Sequence, residues 1–263
     1  MPPDISVQEE NPMLLESKTA VIYGGGGSIG SAIAKGFAAE GARCVLVGRT
    51  PDTLDAAAGK IRADGGQVET AVVDALDEAA VNDHADSVVK TAGSLDISVN
   101  VITQDAIFMP LPDIPVDDFA AAMDKVVRSH LNTTKAAARH MVRQQSGVIL
   151  FFGGADYVSR KDRQNMGTVQ VGMDIVEALR RQWASELGPH GVRLLTLLTG
   201  GIAETFGDIP ELAEAKQALI DQTLLGRAAS LDDVGHVAAF LASDRARSMT
   251  ATQVNISCGA IGE

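Results

Sequence analysis

The sequence predicts a single α/β domain, a doubly wound parallel sheet of about seven strands with helices on both faces. Three observations carry this. Short β-rich runs alternate with longer helical patterns along the 263 residues, which demands crossover connections and parallel pairing. Several strand runs are apolar almost throughout, as expected when helices cover both faces of a sheet. The first strand ends in four glycines, Gly24 to Gly27, that lead directly into a helical pattern.

The elements follow in order. Residues 1–17 are polar, carry Pro2, Pro3 and Pro12, and read as a flexible tail ahead of a domain over 18–263. A first strand spans 19–23. Ile29, Ile33 and Phe37 then recur at i, i+4 and i+8, and Gly41 stops that helix. Strands at 44–47, 68–73 and 97–102 alternate with helices at 54–62 and 81–91. Pro110, Pro112 and Pro115 open a long helix over 116–143. A strand at 148–152, a helix ending near 187, a strand at 192–198, a helix at 231–242 and a strand at 253–257 complete the chain.

Composition narrows the class. Hydrophobic residues make up 46% and charged residues 21%, which excludes a disordered chain. A net charge of -12 repels phosphate backbones and anionic lipid, so neither nucleic acid nor membrane is an expected partner. The longest apolar run, 148–155, is shorter than the roughly 18 residues a bilayer span needs. The opening Met1-Pro2-Pro3-Asp4 has no basic or apolar leader region. Cys44 and Cys258 form neither a disulfide framework nor a metal site. The expectation is an acidic cytoplasmic protein acting on a small molecule.

The glycine turn, Tyr23-Gly24-Gly25-Gly26-Gly27-Ser28-Ile29-Gly30, contains Gly25-x-Gly27-x-x-Gly30, a dinucleotide fingerprint in strand-turn-helix context. Glycines allow the backbone to approach a pyrophosphate, which then sits on the helix N-terminus. The same stretch contains Gly26-x-Ser28-x-Gly30, a nucleophile-elbow pattern with Ser28 as the candidate of a serine hydrolase. An elbow should follow several strands and here follows one, so the nucleotide reading leads. Gly48-Arg49-Thr50 stands after the second strand, where an NAD-selective site places a carboxylate. A guanidinium there clamps a 2′-phosphate, so NADP(H) is favoured over NAD(H). Asp74, closing the third strand, is placed either to meet an adenine amino group or to cap the helix from Leu76.

Further ordered landmarks are Asp96-Ile97-Ser98-Val99-Asn100, Met123-Asp124, Thr134-Lys135-Ala136, the run from Ser185 to Arg193, Asp233-Val234, Phe240-Leu241-Ala242-Ser243-Asp244 and Asn255-Ile256-Ser257-Cys258-Gly259. With the glycine turn, they make the chain from about 18 to 260 resemble the short-chain dehydrogenase/reductase family. The resemblance implies a Rossmann-type fold and hydride transfer between a nicotinamide and an alcohol or carbonyl. It assigns cofactor binding to Gly24, Gly26, Ser28, Ile29, Gly30, Arg49, Thr50, Asp74, Ala75, Asn100, Thr199, Gly200 and Ile202. It also implies a homotetramer or dimer burying 116–143, 168–187 and 253–257. A substrate lid over 203–230 follows as well, and its Phe206, Ile209, Leu212, Leu219, Leu224 and Leu225 point to an apolar substrate or to lid packing.

The family's catalytic residues are missing. Counting from the landmarks puts its asparagine position at Val126, its serine at Gly154, its tyrosine at Val169 and its lysine at Met173. The middle glycine of its turn is Ser28, its Asn-Asn-Ala-Gly stretch is Asn100-Val101-Ile102-Thr103, and its Pro-Gly is Thr199-Gly200. Tyr157 and Lys161 reproduce the tyrosine–lysine spacing, but in a polar loop rather than on a helix. Tyr157 is still the leading substitute proton donor, against a packing role for a loop tyrosine; Asp105 and Gln170 are weaker candidates. Two functions result: an NADP(H)-dependent oxidoreductase with a non-standard donor, or a catalytically silent NADP(H)-binding or scaffold protein.

Overall fold

A computed structural model describes residues 13–103, 105–153, 164–206 and 212–261. Seven parallel strands form one sheet: β1 (Thr19–Tyr23), β2 (Arg43–Gly48), β3 (Val68–Val72), β4 (Ile97–Asn100), β5 (Gly147–Phe152), β6 (Val192–Leu198) and β7 (Thr252–Asn255). Their spatial order is β3-β2-β1-β4-β5-β6-β7. The strand order therefore reverses between β1 and β4, and the crevice at the carboxyl ends of those strands is where such sheets take ligands.

The described residues form seven α-helices, α1 (Ser28–Ala39), α2 (Pro51–Ala63), α3 (Glu78–Ala92), α4 (Val116–Gln144), α5 (Gly167–Leu187), α6 (Ala213–Asp221) and α7 (Leu231–Ala242). All but α6, which buries no residue, contribute to the core against the sheet. Strand side chains alternate between two cores. Ala20, Ile22, Ile97 and Val99 join Ile33, Leu54 and Val234 from α1, α2 and α7. Val21, Tyr23, Ile149 and Phe151 join Val81, Val126 and Val176 from α3, α4 and α5. This alternation explains why β1 and β4 are buried along their whole length, while β3 and β7 at the edges are partly open. Between α1 and α7, a Cβ at Gly36 would lie 2.6 Å from the Gly235 oxygen, so the two helix backbones touch.

Most element ends fall within a few residues of the sequence expectation, and three departures have a local cause. The strand expected over 97–102 ends at Asn100, whose Oδ1 accepts from the Ile102 amide at 2.8 Å. The strand expected over 253–257 ends at Asn255, whose Oδ1 accepts from Ser257 at 2.9 Å. In both cases an asparagine side chain captures the amide two residues on and takes the backbone out of the ladder. Within the stretch read as a tail, Leu15 is fully buried and Leu14 and Leu15 both donate to Glu40, at 2.8 Å each. Two leucines without periodicity gave no sign of this docking; residues 1–12 lie outside the described residues.

Candidate active site

The glycine turn is hung on β2. Gly24 has φ +86°, and the amides of Gly24 and Gly25 both donate to the Val47 carbonyl, at 2.8 and 3.1 Å. A Cβ at Gly30 would lie 2.3 Å from the Gly24 oxygen, so only glycine lets α1 close over the turn. Gly27 is the N-cap of α1 and supplies no side-chain cap. The amides of Ser28, Ile29 and Gly30 thus meet no acceptor among the described residues. Free amides at the positive end of a helix form an anion site. The Ser28 hydroxyl is exposed and makes no hydrogen bond to a histidine among the described residues, so nothing there activates it as a nucleophile.

A cavity of about 360 Å³ opens beside this turn, walled by Gly24 and Gly26, by Arg49 and Thr50 after β2, and by Asp74 and Ala75 after β3. Arg49 is exposed, with no salt bridge to a described residue. Asp74 accepts from the Leu76 amide at 3.0 Å through Oδ1. It closes the turn rather than capping the helix: α3 starts at Glu78 and is capped by Asp77, which accepts from Ala80 at 3.1 Å. Asn100, Ser28 and Gly30 do not line the cavity. Asn100 is buried behind it, its Nδ2 donating to Thr133 Oγ1 at 3.0 Å. The structure adds Lys125 of α4 to the wall, which a lone lysine on a helix face gave no motif to reveal. Tyr23 also lines this cavity, and burial pushes its phenol well above the usual range.

A second cavity, of about 420 Å³, lies over the carboxyl ends of β5 and β6. Ile29, Thr199, Gly200 and Ile202 line it, as does Gln170. Val169 and Met173, one turn apart on α5, both face it, as does Phe152. Phe206 and Leu219 enter from the 203–230 segment, while Leu224 and Leu225 are exposed. No described residue lining it is ionisable. Val126 is fully buried in the core instead, and its carbonyl accepts from His130 Nδ1 at 2.9 Å. Burial drives the His130 pKa down to about 4, against a weaker upward pull from that hydrogen bond. Asp105 is paired with Lys125, away from this cavity. Gly154, Tyr157, Lys161 and Ile209 lie outside the described residues.

A family model described as enoyl-(acyl carrier protein) reductase matches residues 25–260. The chain belongs to the short-chain dehydrogenase/reductase family. It is 26% identical over 253 residues to a 3-oxoacyl-[acyl-carrier-protein] reductase of Thermotoga maritima, covering 95% of this chain and all of that one. It is 29% identical to a gluconate 5-dehydrogenase of Gluconobacter oxydans, covering 94% and 95%. Among solved structures it superposes on an NAD+-bound xylitol dehydrogenase with TM-score 0.82, at 26% identity over 93% of this chain and 99% of that one. A short-chain type dehydrogenase/reductase from Mycobacterium ulcerans matches with TM-score 0.85 and 28% identity, over 94% and 90%. Against that background, this dehydrogenase/reductase chain keeps the glycine turn and presents valine and methionine on the α5 face that lines the second cavity. Among the described residues no group of His, Cys, Asp or Glu could hold a metal, and no helix is long and apolar enough to cross a membrane.

Proposed function

We propose that this chain is an NADP(H)-dependent oxidoreductase that acts on an apolar carbonyl, alcohol or enone with Tyr157 as proton donor. The observation that carries the proposal is the pair of adjoining cavities with the glycine turn between them. The first suits a phosphorylated adenosine, with Asp74 for adenine and Arg49, which has no ion pair to a described residue, for a 2′-phosphate; the amides at the start of α1, outside that cavity's lining, would take the pyrophosphate. The second takes the nicotinamide beside Ile29, Thr199, Gly200 and Ile202, and the substrate against Val169, Met173, Phe206 and Leu219. When bound, the dinucleotide supplies or accepts the hydride. The chain's own task is to exclude water, which the apolar lining does, and to place a proton donor at the substrate oxygen.

The chain has two tyrosines, and Tyr23 lies in the wall of the adenosine cavity. That leaves Tyr157, in the segment after β5, as the phenol for the second cavity. The test is NADPH consumption with a panel of apolar ketones, enones and quinones, comparing wild type with Tyr157→Phe. Tight NADPH binding without turnover on any of them would instead favour a catalytically silent NADP(H)-binding protein, the reading favoured by Val126, Val169 and Met173. Val169→Tyr combined with Met173→Lys then probes that silent reading: turnover gained from the restored pair would support a recently emptied site.

The same proposal takes the protein as a cytoplasmic homotetramer. Val116 at the start of α4 is 82% exposed and Val171 on α5 is also exposed, apolar side chains that self-association through these two helices would cover. Light scattering giving a monomer mass would end that part of it.

A further inference from the structure

We propose that Lys125 is a binding residue for the phosphorylated adenosine portion of the dinucleotide, and that Asp105 competes with this ligand for its ammonium. The proposal rests on the dinucleotide reading above. Lys125 projects from α4 into the wall of the 360 Å³ cavity, beside Gly24, Ala75 and Ile102. Its side chain is 25% exposed, so the stem is packed against that wall. Its ammonium has three donors and one acceptor among the described residues, Asp105 Oδ1 at 2.5 Å. Asp105 is the opposite kind of group: its side chain is 69% exposed, it sits on the loop after β4, and it does not line the cavity.

Charge gives the arrangement its direction. In a chain of net charge -12, this cavity has two cations, Arg49 and Lys125, on separate walls, and one carboxylate, Asp74. Asp74 already spends one oxygen on the Leu76 amide. That balance suits an anionic nucleotide. An ion pair with one partner largely in water contributes little, so a phosphate oxygen displaces Asp105 at small cost and forms a charge-assisted bond in its place, within the cavity wall.

The two residues therefore have opposite effects, which a purely structural ion pair would not have. Calorimetric titration of the full-length protein with NADPH should find Lys125→Met about tenfold weaker. Asp105→Asn should bind about two- to threefold tighter, because the competitor is gone. Lys125→Arg keeps the charge and should retain binding, which guards against a folding defect. Reduced nicotinamide mononucleotide, which lacks adenosine, should bind wild type and Lys125→Met equally. If wild type binds NADPH but Lys125→Met binds it equally well, or both variants shift it in the same direction, the assignment is overturned alone. If wild type binds no pyridine nucleotide, the dinucleotide reading beneath it falls as well.

Discussion

Beside the glycine turn the chain presents backbone amides, a guanidinium, an ammonium and a carboxylate. Over β5 and β6 it presents methyls, two thioethers and phenyl rings, with glutamine and threonine as the polar groups. The two regions share one scaffold and adjoin along Gly24 to Ile29, yet they have opposite chemical character. Recognition of a phosphate depends on backbone geometry, and geometry survives side-chain drift provided the glycines stay. Acid–base chemistry depends on particular side chains at particular positions, and the register read from the sequence puts Val169 and Met173 of α5 where the family's tyrosine and lysine would stand. The proposed function takes the first region as the binding half and the second as a rebuilt reactive half.

The sharpest way to break this contrast is Tyr157→Phe. Turnover should fall by about 10²-fold or more while NADPH affinity is unchanged, as measured by steady-state kinetics beside calorimetry. Unchanged turnover would mean that the apolar half works without this phenol. From the other side, Gly30→Val forces a side chain against the Gly24 carbonyl. Overpacking of this kind should cost about 3 kcal/mol in chemical denaturation and remove NADPH binding with it.

A pH titration probes the core behind the apolar half. His130 packs edge-on against Phe151 at 4.8 Å, and its buried Nε2 has no hydrogen-bond partner among the described residues. Its folded-state pKa of about 4 lies below the unfolded value of roughly 6.5. Between those values the unfolded chain binds the extra proton, so stability should be full above pH 6.5 and fall as the pH drops toward 4. The loss approaches about 3 kcal/mol, and His130→Leu should flatten that part of the profile. The smallest effect belongs to Arg49. Arg49→Ser should weaken NADPH about tenfold and leave NADH nearly unaffected; equal losses for both nucleotides would assign Arg49 to the common part of the ligand.

Much of this was legible in the chain itself. Alternating runs gave seven strands and their parallel pairing, because the burial periods of strand and helix are written locally. The glycine turn was legible because its requirement is steric and falls on consecutive residues. Asp74 was ambiguous, since an aspartate after a strand serves a turn and a ligand equally well by sequence. Lys125 was not legible at all: its place in the cavity comes from the packing of α4 across the sheet, 75 residues beyond Thr50 in number but on the facing wall.

The sequence by itself determined the sheet, the two-sided core and the glycine turn, because each follows from patterns within one or two neighbouring elements. Only the tertiary structure decided that Val169 and Met173 share a wall with Thr199 and Phe206, that Asn100 serves the scaffold, and that Lys125 faces Arg49's cavity. Those are relations between side chains brought together from distant segments, and they exist only once the crossovers have closed.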